Sequence, residues 1–336
     1  MDSLSQIALG AAVSVAVMGR RTAVWKAAAW GAVAGTLPDL DVLIDHGDAV
    51  ANMVLHRAET HSPFWLTLLS LPMAMGVARL QGQWALWRRW WLAIWLALVT
   101  HPLLDVMTVY GTQLGLPFTN YPYGVGSVFI IDPLYTVPLL IGTVWAMAAR
   151  GRPAGLWANA TGLILSTAYI AWGVVAQAQV TAVARESLAT QGIQAERVLV
   201  TPAPLNTLLW RVLAISGADY HEGFYSLLDA EKRVTFDRFP SGSALHAELG
   251  DIPAAQRIRA FSKGFYKVSE RDGKVFITDL RMGQEPNYIF NFAVATRASP
   301  LQPLVPPEQV GSRTDVKRGL EWLSRRIRGE LVPPPR

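Results

Sequence analysis

The sequence predicts an α-helical transmembrane bundle of about six membrane segments, followed by a small extracytoplasmic α+β domain. Hydrophobic residues make up 51% of the 336 residues and charged residues only 16%, whereas a soluble globular chain carries about 25% charged residues. The charges are also unevenly placed, because 38 of the 55 charged residues follow residue 180. We therefore divide the chain into an integral-membrane domain, residues 1–180, and a soluble domain with a Pro-rich tail, residues 181–336.

Six apolar segments are the candidate membrane spans, and they cover residues 4–18, 22–37, 63–80, 90–108, 133–149 and 154–179. At ~1.5 Å rise per residue, the first two reach only about 24 Å of a roughly 30 Å hydrocarbon core, so we expect a tight hairpin or a locally thinned bilayer. Asp2 stands where a cleavable signal peptide would carry basic residues, and no small-residue cleavage site follows. The first segment is therefore predicted to be retained.

The basic residues of this half orient the bundle. Eight of the nine lie in or beside the first, third and fifth connections: Arg20, Arg21, Lys26, Arg79, Arg88, Arg89, Arg150 and Arg152. Such loops face the cytoplasm under the positive-inside rule. With six spans, the amino terminus and the carboxy-terminal domain then both face outward, away from the cytoplasm.

Acidic and imidazole side chains gather on the opposite, outer face, at Asp39, Asp41, His56, His61, His101, Asp105 and Asp132. Imidazole and carboxylate groups are ligands of zinc and other borderline divalent metals. His101 and Asp105 are four residues apart, so they project from one face of a helix. His56 and His61 are five apart and are expected on a loop that leads to a helix capped by Ser62 and begun by Pro63.

Each of these residues also has an ordinary structural interpretation. Asp132, before Pro133, is typical of a helix N-cap, and Asp39 is typical of a turn. His46 is expected on a solvated loop, and a single His101 would more often be a hydrogen-bonded core histidine. Together these residues favour a metal site, because burying an unpaired ionisable side chain at membrane depth costs about 3 kcal/mol or more.

The motifs "MDSLSQIALGAAV", "GAVAGTLPDLDVL", "HRAETHS", "THPLLDVMTVYGTQLGLPF" and "FIIDPLYTVPLL" occur in this order over the first half of the chain. In them the chain resembles the bacterial membrane-bound metal-dependent hydrolases of the inner membrane. The resemblance implies a helical bundle distantly like zinc-dependent phospholipase C. It also implies a divalent metal, with zinc the expected ion, held by Asp39, Asp41, His56, His61, His101 and Asp105, with Asp132 next in line. Gln6 and Val15 depart from the family pattern, where His and Glu are expected. A metal ligand or polar contact from the first helix is therefore not carried over from the family to this chain.

These residues are suited to metal-assisted hydrolysis, in which a divalent ion activates a water molecule. Asp41 and Asp132 are the candidate general bases. Arg57 is a candidate for stabilising phosphate oxygens, and an interfacial salt bridge is the alternative. Tyr110 and Gln113 are candidates for lining the substrate entrance, although a Gly-containing loop also has this composition for backbone reasons.

The soluble half alternates short apolar runs with turn signals, which predicts strands. Asp272-Gly273 stands between two β-rich runs and predicts a hairpin. Helices are predicted at residues 252–265 and 315–329, and the second is basic and amphipathic, so it would lie either on the membrane or on the domain. The sequence contains no cluster of basic residues interleaved with aromatic residues, so nothing in it indicates nucleic-acid binding.

Two classes of function remain open from the sequence. The first is a membrane hydrolase acting on a lipid or lipid-linked (phospho)ester, with membrane lipids as its partners. The second is a non-catalytic scaffold or transport-related protein with a structural metal. An open coordination position favours the enzyme and a closed shell of four protein ligands favours the scaffold.

Overall fold

The computed structural model describes residues 1–311 and 315–336. Its amino-terminal half is helical and its carboxy-terminal half is α+β with antiparallel sheets, as the sequence predicts. Residues cluster into two compact units. The first unit contains Met1–Ile44, His56–Val174 and Pro204–Asn206, and the second contains Asp45–Leu55, Val175–Ala203 and Thr207–Arg336.

Six longer helices correspond to the six apolar segments: α1 (Ser3–Met18), α2 (Val24–Thr36), α4 (Pro63–Leu80), α5 (Trp87–Val106), α6 (Pro133–Ala148) and α7 (Pro153–Thr190). A short helix α3 (Ala49–Leu55) and 3₁₀ turns at Pro38–Leu43, Glu59–His61 and Trp84–Leu86 connect them. Helix α7 continues past the apolar segment to Thr190, so the predicted domain boundary at residue 180 lies inside this helix.

Two of these helices, α4 and α7, are long and apolar enough to cross a membrane. Helices α1 and α6 are apolar but shorter. The described residues thus contain two candidate spans by length and composition, and the count of six remains a prediction.

Glycines allow the backbones of α1 and α2 to come into direct contact. A Cβ atom at Gly31 would lie 2.2 Å from the carbonyl oxygen of Gly10, and one at Gly35 would lie 2.6 Å from that of Gln6. Gly31 and Gly35 are four residues apart and so share one helix face, a small-residue pattern common between membrane helices. This close contact brings α2 and the residues that follow it next to the amino-terminal part of α1.

Both predicted cap residues of the first unit stand at the N-cap position, but only Asp132 caps its helix through the side chain. Ser62 is the N-cap of α4 and Pro63 its first residue, although the Ser62 hydroxyl donates to the carbonyl of Leu116 rather than capping the helix. Asp132 caps α6 by accepting from the backbone N–H of Leu134. The cap interpretation of Asp132 is therefore confirmed.

The second unit contains two four-stranded antiparallel sheets. The first has the order β1 (Arg197–Pro202), β2 (Leu209–Ser216), β3 (Asp219–Ser226) and β4 (Phe236–Pro240). The second has the order β10 (Gln302–Gln309), β9 (Asn291–Thr296), β6 (Lys274–Asp279) and β5 (Tyr266–Arg271), and β7 (Gly283–Gln284) pairs with β8 (Asn287–Tyr288). Asp272 and Gly273 both have positive φ and join β5 to β6, which confirms the predicted hairpin.

Three helices pack on these sheets: α8 (Ser243–Glu248), α9 (Pro253–Phe261) and α10 (Val316–Ile327). Trp322 and Leu323 of α10 are buried against Ala203 and Leu209. Of the two placements considered for this basic amphipathic helix, its apolar face therefore packs on the domain.

Candidate metal centre

Four side chains of the first unit converge at one point: Asp39, His61, His101 and Asp105. Their ligand atoms all lie within 4.8 Å of one another. Asp39 comes from the 3₁₀ turn Pro38–Leu43, and His61 ends the turn before α4. His101 and Asp105 occupy successive turns of α5, as their spacing predicts.

The distances within this His₂Asp₂ cluster fit a tetrahedral ion. The two Nε2 atoms of His61 and His101 are 3.1 Å apart. Each of them lies 3.3–3.4 Å from Asp39 Oδ1 and from Asp105 Oδ2. Ligand atoms at about 2.0–2.1 Å from a tetrahedral zinc ion are about 3.3–3.4 Å apart. The five distances that involve a histidine are therefore close to the spacing of one coordination shell.

Hydrogen bonds on the outer side of each imidazole determine which nitrogen faces the cluster. His101 Nδ1 lies 2.6 Å from the carbonyl oxygen of Gly35, which can only accept, so Nδ1 carries the proton. The Thr60 hydroxyl donates to a carboxylate at 2.7 Å, so it must accept from His61 Nδ1 at 2.9 Å. When each ring is neutral, Nε2 therefore presents its lone pair to the cluster, as a metal ligand requires.

The Asp105 carboxylate is held from the opposite side. Its Oδ1 accepts from Gln6 Nε2 at 3.2 Å and from the amino group of Met1. Its Oδ2 is fully buried, faces the imidazoles and has no hydrogen-bond partner in the described part of the chain. A divalent cation at this point would be bound by two imidazole lone pairs and two carboxylate oxygens, and it would replace the imidazole protons that Asp39 otherwise accepts.

Asp41 and His56 lie beside these four residues rather than among them. His56 Nδ1 is 2.8 Å from Asp41 Oδ1, and Asp41 Oδ2 accepts from the backbone N–H of Arg57 and the hydroxyl of Thr60. The His56 ring meets the His61 ring edge to face at 5.9 Å between centroids. The His56 side chain is 28% exposed, whereas His61 is fully buried. Asp41 therefore orients both histidines.

Arg57 is buried next to the cluster in a strained backbone conformation, with φ of 68°. Its Nε lies 3.3 Å from Asp105 Oδ2, and its guanidinium stacks 4.9 Å from the centre of the Tyr110 ring. The backbone is fixed because its N–H donates to Asp41 and its carbonyl accepts from the N–H of Gln113. Positive φ in a non-glycine residue costs about 1–3 kcal/mol and is concentrated at functional sites.

The two predicted entrance residues lie next to Arg57 and His56. Tyr110 is buried and meets the His56 ring at 5.7 Å, and Gln113 is buried at the backbone contact with Arg57. Asp132 is not one of the four cluster residues. Its carboxylate caps α6 and accepts from the Tyr169 hydroxyl at 2.8 Å. Burial raises the pKa of Asp132, and the bond from Tyr169 offsets only part of that effect.

Both carboxylates of the 3₁₀ turn are anionic at neutral pH. Burial alone would raise the pKa of Asp39, but the hydrogen bonds with His101 and His61 outweigh it and hold the pKa well below its usual range. Burial acts on Asp41 in the same way, and the bond from His56 lowers the pKa of Asp41. The site therefore concentrates negative charge where a cation would bind.

Several groups that contact the site residues were not among the sequence candidates, and they include Gly35, Thr60 and the side-chain amide of Gln6. Thr60 lies inside the "HRAETHS" motif, and its position between two candidate histidines was the only available signal. Gly35 acts through its carbonyl, which no side-chain pattern reveals. Gln6 stood out only as a departure from the family pattern.

Comparison with protein families matches residues 1–180 to the family described as YdjM inner membrane protein. Searches among curated proteins and among solved structures found no match. The matched range contains all four residues of the His₂Asp₂ cluster and both candidate spans begin within it. The family description gives a location and no reaction. Because the match covers more than half of the sequence, the chain belongs to the YdjM inner membrane protein family.

Proposed function

We propose that this chain is an integral-membrane metal-dependent hydrolase that acts on a lipid or lipid-linked (phospho)ester at the outer face of the inner membrane. Asp39, His61, His101 and Asp105 would hold a divalent ion, with zinc suited to this mixed N and O donor set. Such an ion would lower the pKa of a water molecule and polarise the scissile carbonyl or phosphoryl group.

The His56–Asp41 pair is the observation that carries the hydrolytic part of the proposal. Asp41 accepts from Nδ1 of His56, which leaves Nε2 of this partly exposed ring to accept a proton from an attacking water. A metal that served only to hold helices together would have no use for an oriented, accessible imidazole beside it. Asp41, a candidate base from the sequence, would act through His56.

Arg57 supports a phosphoester over a carboxylic ester. Its guanidinium is fixed between Asp105, Thr108 and the Tyr110 ring. A preorganised cation in a water-poor site stabilises the negative charge that develops on phosphoryl oxygens. Tyr110 and Gln113 would then form the wall on which the substrate rests.

The surface next to the cluster supports a lipid substrate. Val42 and Leu43 follow Asp41 in the same 3₁₀ turn and are 74% and 80% exposed. Phe118 is also strongly exposed and meets the Phe64 ring at 5.6 Å. Exposed apolar and aromatic side chains beside a polar site are typical of the interface between head groups and acyl chains.

The proposed orientation follows from the arginines in alternate connections, which the positive-inside rule assigns to the cytoplasm. Six spans would then place the His₂Asp₂ cluster and residues 181–336 on the periplasmic side. Among the described residues, only α4 and α7 are both long and apolar enough for a full span, and the shorter apolar helices α1 and α6 would cross a thinned bilayer or lie within the bundle.

A structural metal in a non-catalytic scaffold or transport-related protein is the second candidate, and one observation favours it. Four protein ligands close a tetrahedral shell, as in structural zinc sites, whereas catalytic sites usually keep one position for water. Asp39 distinguishes the two cases, because it is 19% exposed while the other three ligands are fully buried. In an enzyme, a water molecule would replace the Asp39 carboxylate on the ion, or the ion would bind water as a fifth ligand.

The test is metal content and lipid hydrolysis measured on the same full-length protein, purified without a metal-affinity tag. His101→Ala should lose both metal and activity. His56→Gln should retain metal and lose activity, and His46→Ala, a histidine outside the cluster, should change neither. Equal metal content in wild-type and His101→Ala protein would contradict the metal site. A stoichiometric metal without hydrolysis of any phospholipid or neutral lipid ester would favour the structural role.

A further inference from the structure

We propose that a basic cavity at the other end of the first unit binds the phosphate of an anionic phospholipid head group. The connections between α1 and α2 and between α6 and α7 together form an open cavity of about 590 Å³. Arg20, Arg21 and Arg150 line it, together with Thr22. This proposal does not depend on the metal centre, because none of the cluster residues lines this cavity.

The walls of the cavity are held by close backbone packing. Gly151 has φ of 78°, and a Cβ atom there would lie 3.3 Å from the carbonyl oxygen of Gly19. A Cβ atom at Gly19 would lie 2.8 Å from the Leu156 side chain. Arg150 also has positive φ, at 50°, so its position is set by this packed turn. The arginines therefore project from two connections that are fixed against each other.

The three arginines carry charge that the described protein does not neutralise. Arg20, Arg21 and Arg150 are exposed and form no ion pair within residues 1–311 and 315–336. Three cations around one cavity repel one another unless an anion lies among them. Guanidinium groups bind phosphate oxygens with two parallel hydrogen bonds, so a phosphate is the anion that this lining suits.

Tryptophans indicate that the cavity lies at the depth of lipid head groups. Trp25 in the first turns of α2 and Trp157 in the first turns of α7 are 62% and 69% exposed. Both lie within about one helical turn of cavity-lining residues in the chain. Tryptophan is enriched at membrane interfaces, where its ring spans the boundary between acyl chains and head groups. Basic pockets between membrane helices at this depth bind anionic head groups.

The ligand is therefore a phospholipid rather than a soluble phosphate. Leu156 gives the cavity an apolar edge, and the apolar surfaces of α6 and α7 continue from it into the candidate membrane region. An acyl chain can lie on these surfaces while the head group lies among the arginines. A soluble anion would use the charge but not the adjoining apolar surface.

The experiment measures lipid binding to the full-length protein in detergent by native mass spectrometry. Phosphatidylglycerol and phosphatidylcholine are titrated against wild-type protein and against Arg21→Gln/Arg150→Gln. The matched control is Arg88→Gln/Arg89→Gln, which removes two exposed arginines from another connection. We expect preferential binding of phosphatidylglycerol. We also expect about fivefold weaker binding for each cavity arginine lost, which corresponds to about 1 kcal/mol, and little change in the control.

A second measurement needs no variant. Phosphatidylglycerol should raise the melting temperature of the wild-type protein, because a ligand that binds only the folded state stabilises it. Equal binding of the two lipids, or equal loss in cavity and control variants, would overturn the proposal. Binding of inorganic phosphate or glycerol phosphate as tight as that of phosphatidylglycerol would also overturn it, by assigning the cavity to a soluble anion.

Discussion

Replacing Gly31 with Ala tests whether helix contact and metal site depend on each other. The added Cβ would lie 2.2 Å from the Gly10 carbonyl oxygen and 2.4 Å from the Ser14 Cβ. An ordinary contact begins at 3.4 Å, so α1 and α2 would have to separate by about 1 Å. A gap of ~0.5–1 Å forfeits a quarter to a half of each dispersion contact, and overpacking of this kind typically costs about 1–3 kcal/mol.

The same displacement should weaken metal binding. The Gly35 carbonyl on α2 is 2.6 Å from His101 Nδ1, and a 1 Å shift would lengthen this bond beyond hydrogen-bonding range. Loss of such an outer contact to a ligating histidine costs ~10–100-fold in metal affinity. Gly31→Ala should therefore lower both stability and metal affinity, although it touches no ligand.

The assay is thermal unfolding in detergent together with a metal titration. At ~2–4 °C per kcal/mol for a domain of this size, the melting temperature should fall by about 2–12 °C. Gly76→Ala is the matched control, because Gly76 lies inside α4 and a Cβ atom there would meet nothing within 4 Å. A Gly31→Ala protein that melts with the wild type and binds metal equally well would refute the reasoning.

Three further predictions concern the site and the topology. Gln6→Leu removes the amide that donates to Asp105 and should lower metal affinity by ~10–100-fold, as measured by competition with a chelator; unchanged affinity would show that the amide does not position the carboxylate. Arg57→Lys should retain metal but lower phosphoester turnover, since an ammonium cannot reproduce the guanidinium geometry, and equal loss of metal and turnover would instead indicate a structural role. Reporter fusions at Arg20 should report cytoplasm and a fusion after Ala182 should report periplasm, and a cytoplasmic signal at the second site would contradict the proposed orientation.

Local interactions account for what could be read from the sequence. Asp132 caps α6, and Asp272-Gly273 turns the β5–β6 hairpin, because cap and turn residues act on backbone groups only a few residues away. His101 and Asp105 share a helix face for the same reason, since the pitch of the helix places residues four apart side by side. The sequence by itself therefore determined the helical first half, the α+β second half and one half of the metal cluster.

Tertiary structure decided which of the remaining candidates join His101 and Asp105 in the metal cluster. Asp39 and Asp41 look equivalent in the sequence, but they lie two residues apart in a 3₁₀ turn of about three residues per turn, so their side chains leave in different directions. Asp39 faces His61 and His101, and Asp41 faces His56. The local conformation of that turn was not readable from the residues alone.

The supporting contacts were likewise set by packing between distant segments. The Gly35 carbonyl reaches His101 across 66 residues, and the Gln6 amide reaches Asp105 across 99, because α1 and α2 meet through glycines and both helices pack on α5. A backbone carbonyl and a neutral amide leave no chemical signature in a sequence. The sequence determined which side chains were available to bind a metal, and the close packing of helices decided which of them point their lone pairs at a common centre.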